Sequence, residues 1–177
     1  MTTSAHSSPT VRATLSQRLP DLGFVEGLRL PPGLDEVQIA ADRLRLVVGA
    51  DHPWARRRSA VGGAELARTP LVLREQGSGT REVLDRALAP FGGTTTPLLV
   101  LASTTALKGA AVSSAGPAVL SELAVADELA RGRLVSVPLD GLDLSRPLRA
   151  VWPTGTRPAG PARDLLSLTR QPRSAGA

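Results

Sequence analysis

Along this chain the spacing of apolar residues changes from a period of two to a period near 3.6 and back, and those changes mark out the elements. The first apolar run, Leu22 to Val25, ends at Gly27 and is followed by a Pro-Pro-Gly turn at 31–33. Val37–Ala41 forms one further stretch and Arg43–Gly49 another. In the latter, Leu44, Leu46 and Val48 alternate with Arg43, Arg45 and Val47, the period of a strand. From residue 70 a regular alternation sets in. Pro70–Arg74 predicts a buried strand, Gln76–Gly79 a turn, and Thr80–Phe91 a helix with apolar residues at 83, 84, 87, 88 and 91, stopped by Gly92 and Gly93. Leu98–Ala102 predicts a second strand, and Ser103-Thr104-Thr105 opens a helix running to about Ser113. Pro117–Leu120 is a third strand, Ser121 caps a helix ending at Gly132, and Leu134–Pro138 is a fourth strand. Leu148–Trp152 and Ala162–Thr169 read as a last strand and a closing helix. Strands alternating with helices predict an α/β lobe with a mostly parallel sheet over 70–139. Residues 1–20, rich in Ser, Thr and Pro, read as a poorly ordered leader, and 173–177 as a disordered tail.

Composition narrows the function classes. A chain of 177 residues, 42% hydrophobic and 21% charged, fits one globular domain or two small lobes. No apolar run reaches the ~18 residues that would span a bilayer. The opening MTTSAHSSPT lacks the apolar core of a secretory signal. Without cysteine there are no disulfides and no thiolate metal sites, so the cytoplasm is the expected location, with no membrane partner. The net charge of +5 invites a nucleic-acid reading. Against it, Lys108 is the only lysine among abundant arginines, as a coding bias would produce, and aromatics are 2%, too few to stack on bases. The one basic cluster, Arg56-Arg57-Arg58 beside Pro53 and Trp54, reads as a solvated loop.

Candidate chemistry concentrates at two helix starts. In Leu73–Glu82 a strand passes through a Gly-rich turn into a helix, leaving N–H groups unpaired at the positive end of a helix dipole. Such a place accepts carboxylate, sulfate or phosphate. Ser78 and Thr80 add hydroxyls, Thr80 as the expected cap, and Arg81 adds a cation. Ala102–Ala106 repeats the arrangement with Ser103 and Thr104. Ligands of open α/β sheets collect outside the carboxyl ends of the strands, so the two starts are expected to face one cleft. The plain alternative at each is a capped helix with nothing bound. Catalysis finds no support: His6 and His52 are isolated, and neither HExxH, a Gly-x-Ser-x-Gly elbow nor a Walker loop occurs. Asp127 and Glu128 read as a solvated helix face. No enzyme activity, metal or cofactor is expected.

The order of these segments resembles the effector-binding domain of LysR-type transcriptional regulators. The resemblance rests on DLGFVEG at 21–27, RLRLVVGADHPWA at 43–55 and PLVLREQGSGTREVLDRAL at 70–88. It continues through the stretch from Ser103 to Leu139, PLRAVWPTG at 147–155 and the final helix. GSGTRE is distinctive of the subgroup with regulators of cysteine biosynthesis and of RuBisCO operons. The resemblance implies a periplasmic-binding-protein type 2-like α/β fold of two lobes joined by crossing hinge strands. The effector-binding domain would span 21–172. Lobe two, complete, would occupy 51–140, and 21–50 with 141–172 would be the remnant of a truncated lobe one and the hinge. It implies a small-molecule effector, expected to be an anion, held in a cleft by Ser78, Gly79, Thr80, Ser103, Thr104 and Gly116. It further implies an antiparallel homo-dimer, and DNA contact only through a helix-turn-helix absent from this chain. Ser114 stands where the family usually has glycine and Pro117 where it has an aliphatic residue. With lobe one short of strands, Leu22, Phe24, Val25, Leu148, Val151 and Trp152 are expected to be exposed or self-associating. A stand-alone small-anion-binding α/β protein, or an enzyme of unidentified activity, is the alternative reading.

Overall fold

The computed structural model describes residues 22–27 and 32–169; the expected leader and tail lie outside them. In chain order the elements are β1 (Gly23–Val25), β2 (Leu34–Gly49), a 3-10 turn (Pro53–Arg56), β3 (Val61–Gly62) and α1 (Gly63–Arg68). β4 (Val72–Arg74), α2 (Gly79–Leu88), a 3-10 turn (Ala89–Phe91), β5 (Leu99–Leu101) and α3 (Thr104–Val112) follow. The chain closes with β6 (Ala118–Ser121), α4 (Glu122–Ala130), β7 (Leu134–Val137), β8 (Leu139–Asp140), β9 (Ser145–Pro153) and α5 (Gly160–Thr169).

The chain forms two compact units, 1–41 with 147–177, and 42–146. In the described part of the first, β1 pairs antiparallel with β9, setting Phe24 opposite Ala150 and Val25 opposite Arg149. Arg149 fastens this unit by pairing with Glu36 at 2.8 Å and donating to the Gly27 carbonyl at 2.6 Å. Val25 and Val151 are buried, contrary to the expected exposure, because this pairing gives them a covered face; Phe24 is 39% exposed.

The second unit carries the α/β alternation predicted from residue 70. β5, β4 and β6 lie side by side and parallel, with Val72 opposite both Leu99 and Ala118. The lobe's sheet is mixed rather than purely parallel, because β2 joins antiparallel to β6 and β7. Val47, Val72, Leu107, Ala111, Ala118, Leu120, Val125 and Leu134 form one core. Burying each large aliphatic side chain contributes about 1.5–3 kcal/mol.

Three local readings are corrected by this unit. The separate segments 37–41 and 43–49 are one 16-residue strand, because Asp42 between them is neutralised in place instead of breaking the strand. Val47 is as buried as Leu46 and Val48, since both sheet faces are covered there. The predicted helix to Phe91 leaves α geometry at Leu88, where Pro90 can give no N–H to a continuing helix, and Gly92 at φ +90° turns the chain. Ser114, two residues past the end of α3, has φ +58°, the left-handed conformation that explains the family's usual glycine.

Candidate functional site

The carboxyl ends of β4 and β5 lie together, Arg74 opposite Leu101, and each strand runs on into a helix start. Ser78 is the N-cap of α2; its buried Oγ accepts the Arg81 N–H at 3.2 Å. Thr80 is therefore not the cap, and its hydroxyl is available for other work. Gly79, buried, is the first residue of α2. Ser103 caps α3 as expected, accepting the Ala106 N–H at 3.4 Å, and Thr104 is the first helical residue.

Two arginines organise these hydroxyls. The Nη1 of Arg74 donates to Thr104 Oγ1 at 2.8 Å, while its Nε and Nη2 hold the two oxygens of Glu75 at 2.8 and 2.9 Å. That bonding holds the Glu75 carboxyl below the usual carboxylate range. Arg146 Nη1 donates to Thr80 Oγ1 at 3.3 Å. Its Nε and Nη2 donate to Asp42 Oδ2 at 2.9 and 2.7 Å. Ser121 supplies the other Asp42 oxygen at 3.0 Å. Thus Ser121, at the N-cap of α4, uses its hydroxyl on Asp42 and makes no capping bond of its own, unlike the expectation. A threonine oxygen that accepts from a cation keeps its own proton directed elsewhere, ready for an acceptor. Both arginine charges are matched by a carboxylate.

The predicted set is thus gathered in two groups, Ser78-Gly79-Thr80 and Ser103-Thr104, on neighbouring strand ends. At Gly116 a Cβ would come within 2.3 Å of Leu98 Cδ1, so the backbone there lies close against that side chain. Sequence reading missed Arg74 and Arg146 as partners of the site. Arg74 sits inside the Gly-rich motif and was available to it. The Asp42–Arg146 pair joins residues 104 apart, with no local signal.

Other sequence candidates are structural. His52 Nδ1 accepts the Trp54 N–H at 3.1 Å, and burial lowers the histidine pKa. Arg57 lies over the Trp54 ring at 5.6 Å and donates to Glu65 at 2.8 Å, so the middle of the arginine cluster is tied down. Glu128 is not solvated. It is buried between Lys108 at 3.1 Å and Arg133 at 3.0 Å, while Asp127 is exposed. No cluster of three or more metal-ligating side chains occurs among the described residues, and no described helix is long and apolar enough to cross a membrane.

Two hydroxyl-bearing helix starts at the carboxyl ends of adjacent parallel strands stand where ligands of open α/β sheets collect. The LysR substrate binding domain model matches residues 2–172, and the chain belongs to this family. It is 46% identical over 171 residues, 94% of its length, to an uncharacterized HTH-type transcriptional regulator of Mycobacterium tuberculosis, covering 54% of that protein. It is 35% identical over 139 residues to the HTH-type transcriptional regulator CbbR of Xanthobacter flavus, covering 76% of this chain and 42% of that one. The chain thus spans about half the length of the curated relatives it matches. Among solved structures it shares its fold with the regulatory domain of CcmR from Synechocystis PCC6803 in complex with 2-PG. The TM-score is 0.80 at 23% identity, over 91% of this chain and 77% of that one. The effector-binding domain of QuiR in complex with shikimate gives 0.77 at 15% identity, over 93% and 76%. These likenesses establish the periplasmic-binding-protein type 2-like fold expected from the sequence.

Proposed function

We propose that this domain senses a small oxyanion, a carboxylate or a phosphate monoester, at the starts of α2 and α3, and serves as the effector-responsive part of a LysR-type regulator in the cytoplasm. The observation that carries the reading is the pairing of Thr80 with Arg146 and Thr104 with Arg74, which leaves two hydroxyl protons for acceptor oxygens. Ser78 and Ser103 cap the same helices and fix the turn geometry around them. The domains of like fold from CcmR and QuiR are in complex with 2-PG and with shikimate, and shikimate is a carboxylate. The family role is regulatory and gives no reason to assign catalysis.

The test is calorimetry of this chain with inorganic phosphate, sulfate and shikimate. Thr80→Val and Thr104→Val each remove one donor while keeping side-chain shape, and each is expected to weaken binding about tenfold. Affinity unchanged in both variants would refute the assignment.

We further propose that the domain acts as a homo-dimer. β5 lies at the end of the strand path, and Leu98, Leu99 and Val100 are 45–53% exposed there. An unpaired apolar edge of this kind favours association. Sedimentation is expected to show dimers that Val100→Lys weakens; a monomer at tens of micromolar would contradict it.

A further inference from the structure

The unit formed by 42–146 carries a second concavity that the anion site does not use. It is a cleft of about 340 Å3 beside β2, the end of β7 and the segment 142–144, and none of the six residues predicted for the effector lines it. That volume falls within the roughly 300–1,000 Å3 typical of small-ligand sites.

The strand period of β2 determines much of its lining. Leu44 and Leu46 face the core, so Arg43 and Arg45 stand on the opposite face. Arg45 is engaged with Glu122 at 2.7 Å. Arg43 is exposed and has neither a hydrogen bond nor an ion pair among the described residues. Asp143, also exposed, lines the same cleft, and its Oδ1 accepts the Ser145 N–H at 2.9 Å. That bond, reinforced by the Ser145 hydroxyl and by the charges of Arg86 and Arg43, keeps its carboxyl below the usual range. Asp143 is therefore an anion at neutral pH. Leu139 and Leu142, both half-buried, supply apolar wall.

A lining with one free cation, one anion and an apolar surface suits a ligand carrying both signs. We propose that this cleft binds the zwitterion of an α-amino acid with a branched aliphatic side chain. Its carboxylate meets Arg43, its ammonium meets Asp143, and its side chain lies against Leu139 and Leu142. A plain carboxylate would leave Asp143 facing a like charge, and a plain amine would do the same to Arg43. The cleft adjoins a tie between strands: the Leu44 N–H donates to the Leu144 carbonyl at 3.0 Å. A ligand bridging Arg43 and Asp143 adds a second tie beside it and stabilises this unit against unfolding.

The experiment is calorimetry and thermal denaturation of the whole chain with L-leucine, isocaproate, which lacks the ammonium, and isoamylamine, which lacks the carboxylate. Leucine is expected to bind and raise the Tm, with each analogue weaker by about tenfold. Arg43→Gln and Asp143→Asn, both at exposed positions, are expected to weaken leucine to a similar degree, whereas Thr104→Val leaves it unchanged. Absence of leucine binding, isocaproate binding as tightly as leucine, or indifference to Asp143→Asn would each overturn the proposal. Phosphate affinity insensitive to Arg43→Gln keeps the fate of the anion site separate.

Discussion

Arg146 donates twice to a single oxygen of Asp42, at 2.9 and 2.7 Å, and the two side chains are only 3% and 2% exposed. A charge buried so deeply is tolerable only if it is paired and its remaining hydrogen-bonding capacity is used. Here Ser121 takes the second Asp42 oxygen and Thr80 takes a further Arg146 N–H. The network thereby joins β2, β6, β9 and the start of α2, so a structural ion pair also orients a candidate ligand group.

Asp42→Ala should destabilise the chain by about 3–5 kcal/mol, because it strands a buried guanidinium. Replacing both partners, with Asp42→Leu and Arg146→Met, should recover much of that loss. Urea denaturation of the three variants measures it. A single variant as stable as the parent would show that Arg146 finds other solvation.

Ser114 holds φ +58° at the end of α3. An L-residue in this region costs about 1–2 kcal/mol relative to glycine. Ser114→Gly should therefore raise stability by about 1 kcal/mol, less the extra freedom glycine gives the unfolded chain. Thermal denaturation reads this as a higher Tm, and a lower Tm would mean that the serine makes up for its backbone strain.

Ser78→Ala removes the cap of α2 and should cost about 1 kcal/mol, near the value for N-caps generally. Ser103→Ala should cost less, because its capping bond is longer, 3.4 Å, and exposed. The ranking is the test, read from denaturation midpoints; equal losses would contradict it.

Glu75 gives a pH dependence with a definite sign. Its folded pKa is lowered, chiefly by the hydrogen bond from Arg74. The folded state therefore holds its proton less tightly than the unfolded chain does. The stabilisation is complete above the unfolded pKa, about 4.3, and is lost as the pH falls through the lower folded value. Glu75→Gln should flatten this part of the acid limb while changing little between pH 6 and 8 in the slope of stability. An acid limb identical in parent and variant would place the titration elsewhere.

The sequence made most of the second unit legible because its elements obey local rules. Ser103 before a helical period, Gly92 after one, and the alternation of Leu44, Leu46 and Val48 are each decided within a few residues. What escaped depends on partners distant in sequence. Asp42 looked like a break between two strands because the Arg146 that neutralises it lies 104 residues on. Glu128 looked solvated because Lys108 and Arg133, which cover it, come from outside its own helix. Thr80 was taken for the cap because Ser and Thr are chemically equivalent there, and only backbone geometry shows that Ser78 fills that position.

The oxyanion site proposed at the starts of α2 and α3 can be read residue by residue. Backbone amide NMR during titration with inorganic phosphate tests it most directly, because amides that donate to the anion move downfield by residue. Saturable shifts led by Gly79, Thr80, Thr104 and Thr105 are expected, with the Thr104 group diminished in Arg74→Gln. Shifts centred instead on Arg56–Arg58 or on Arg43, with the two helix starts silent, would contradict it.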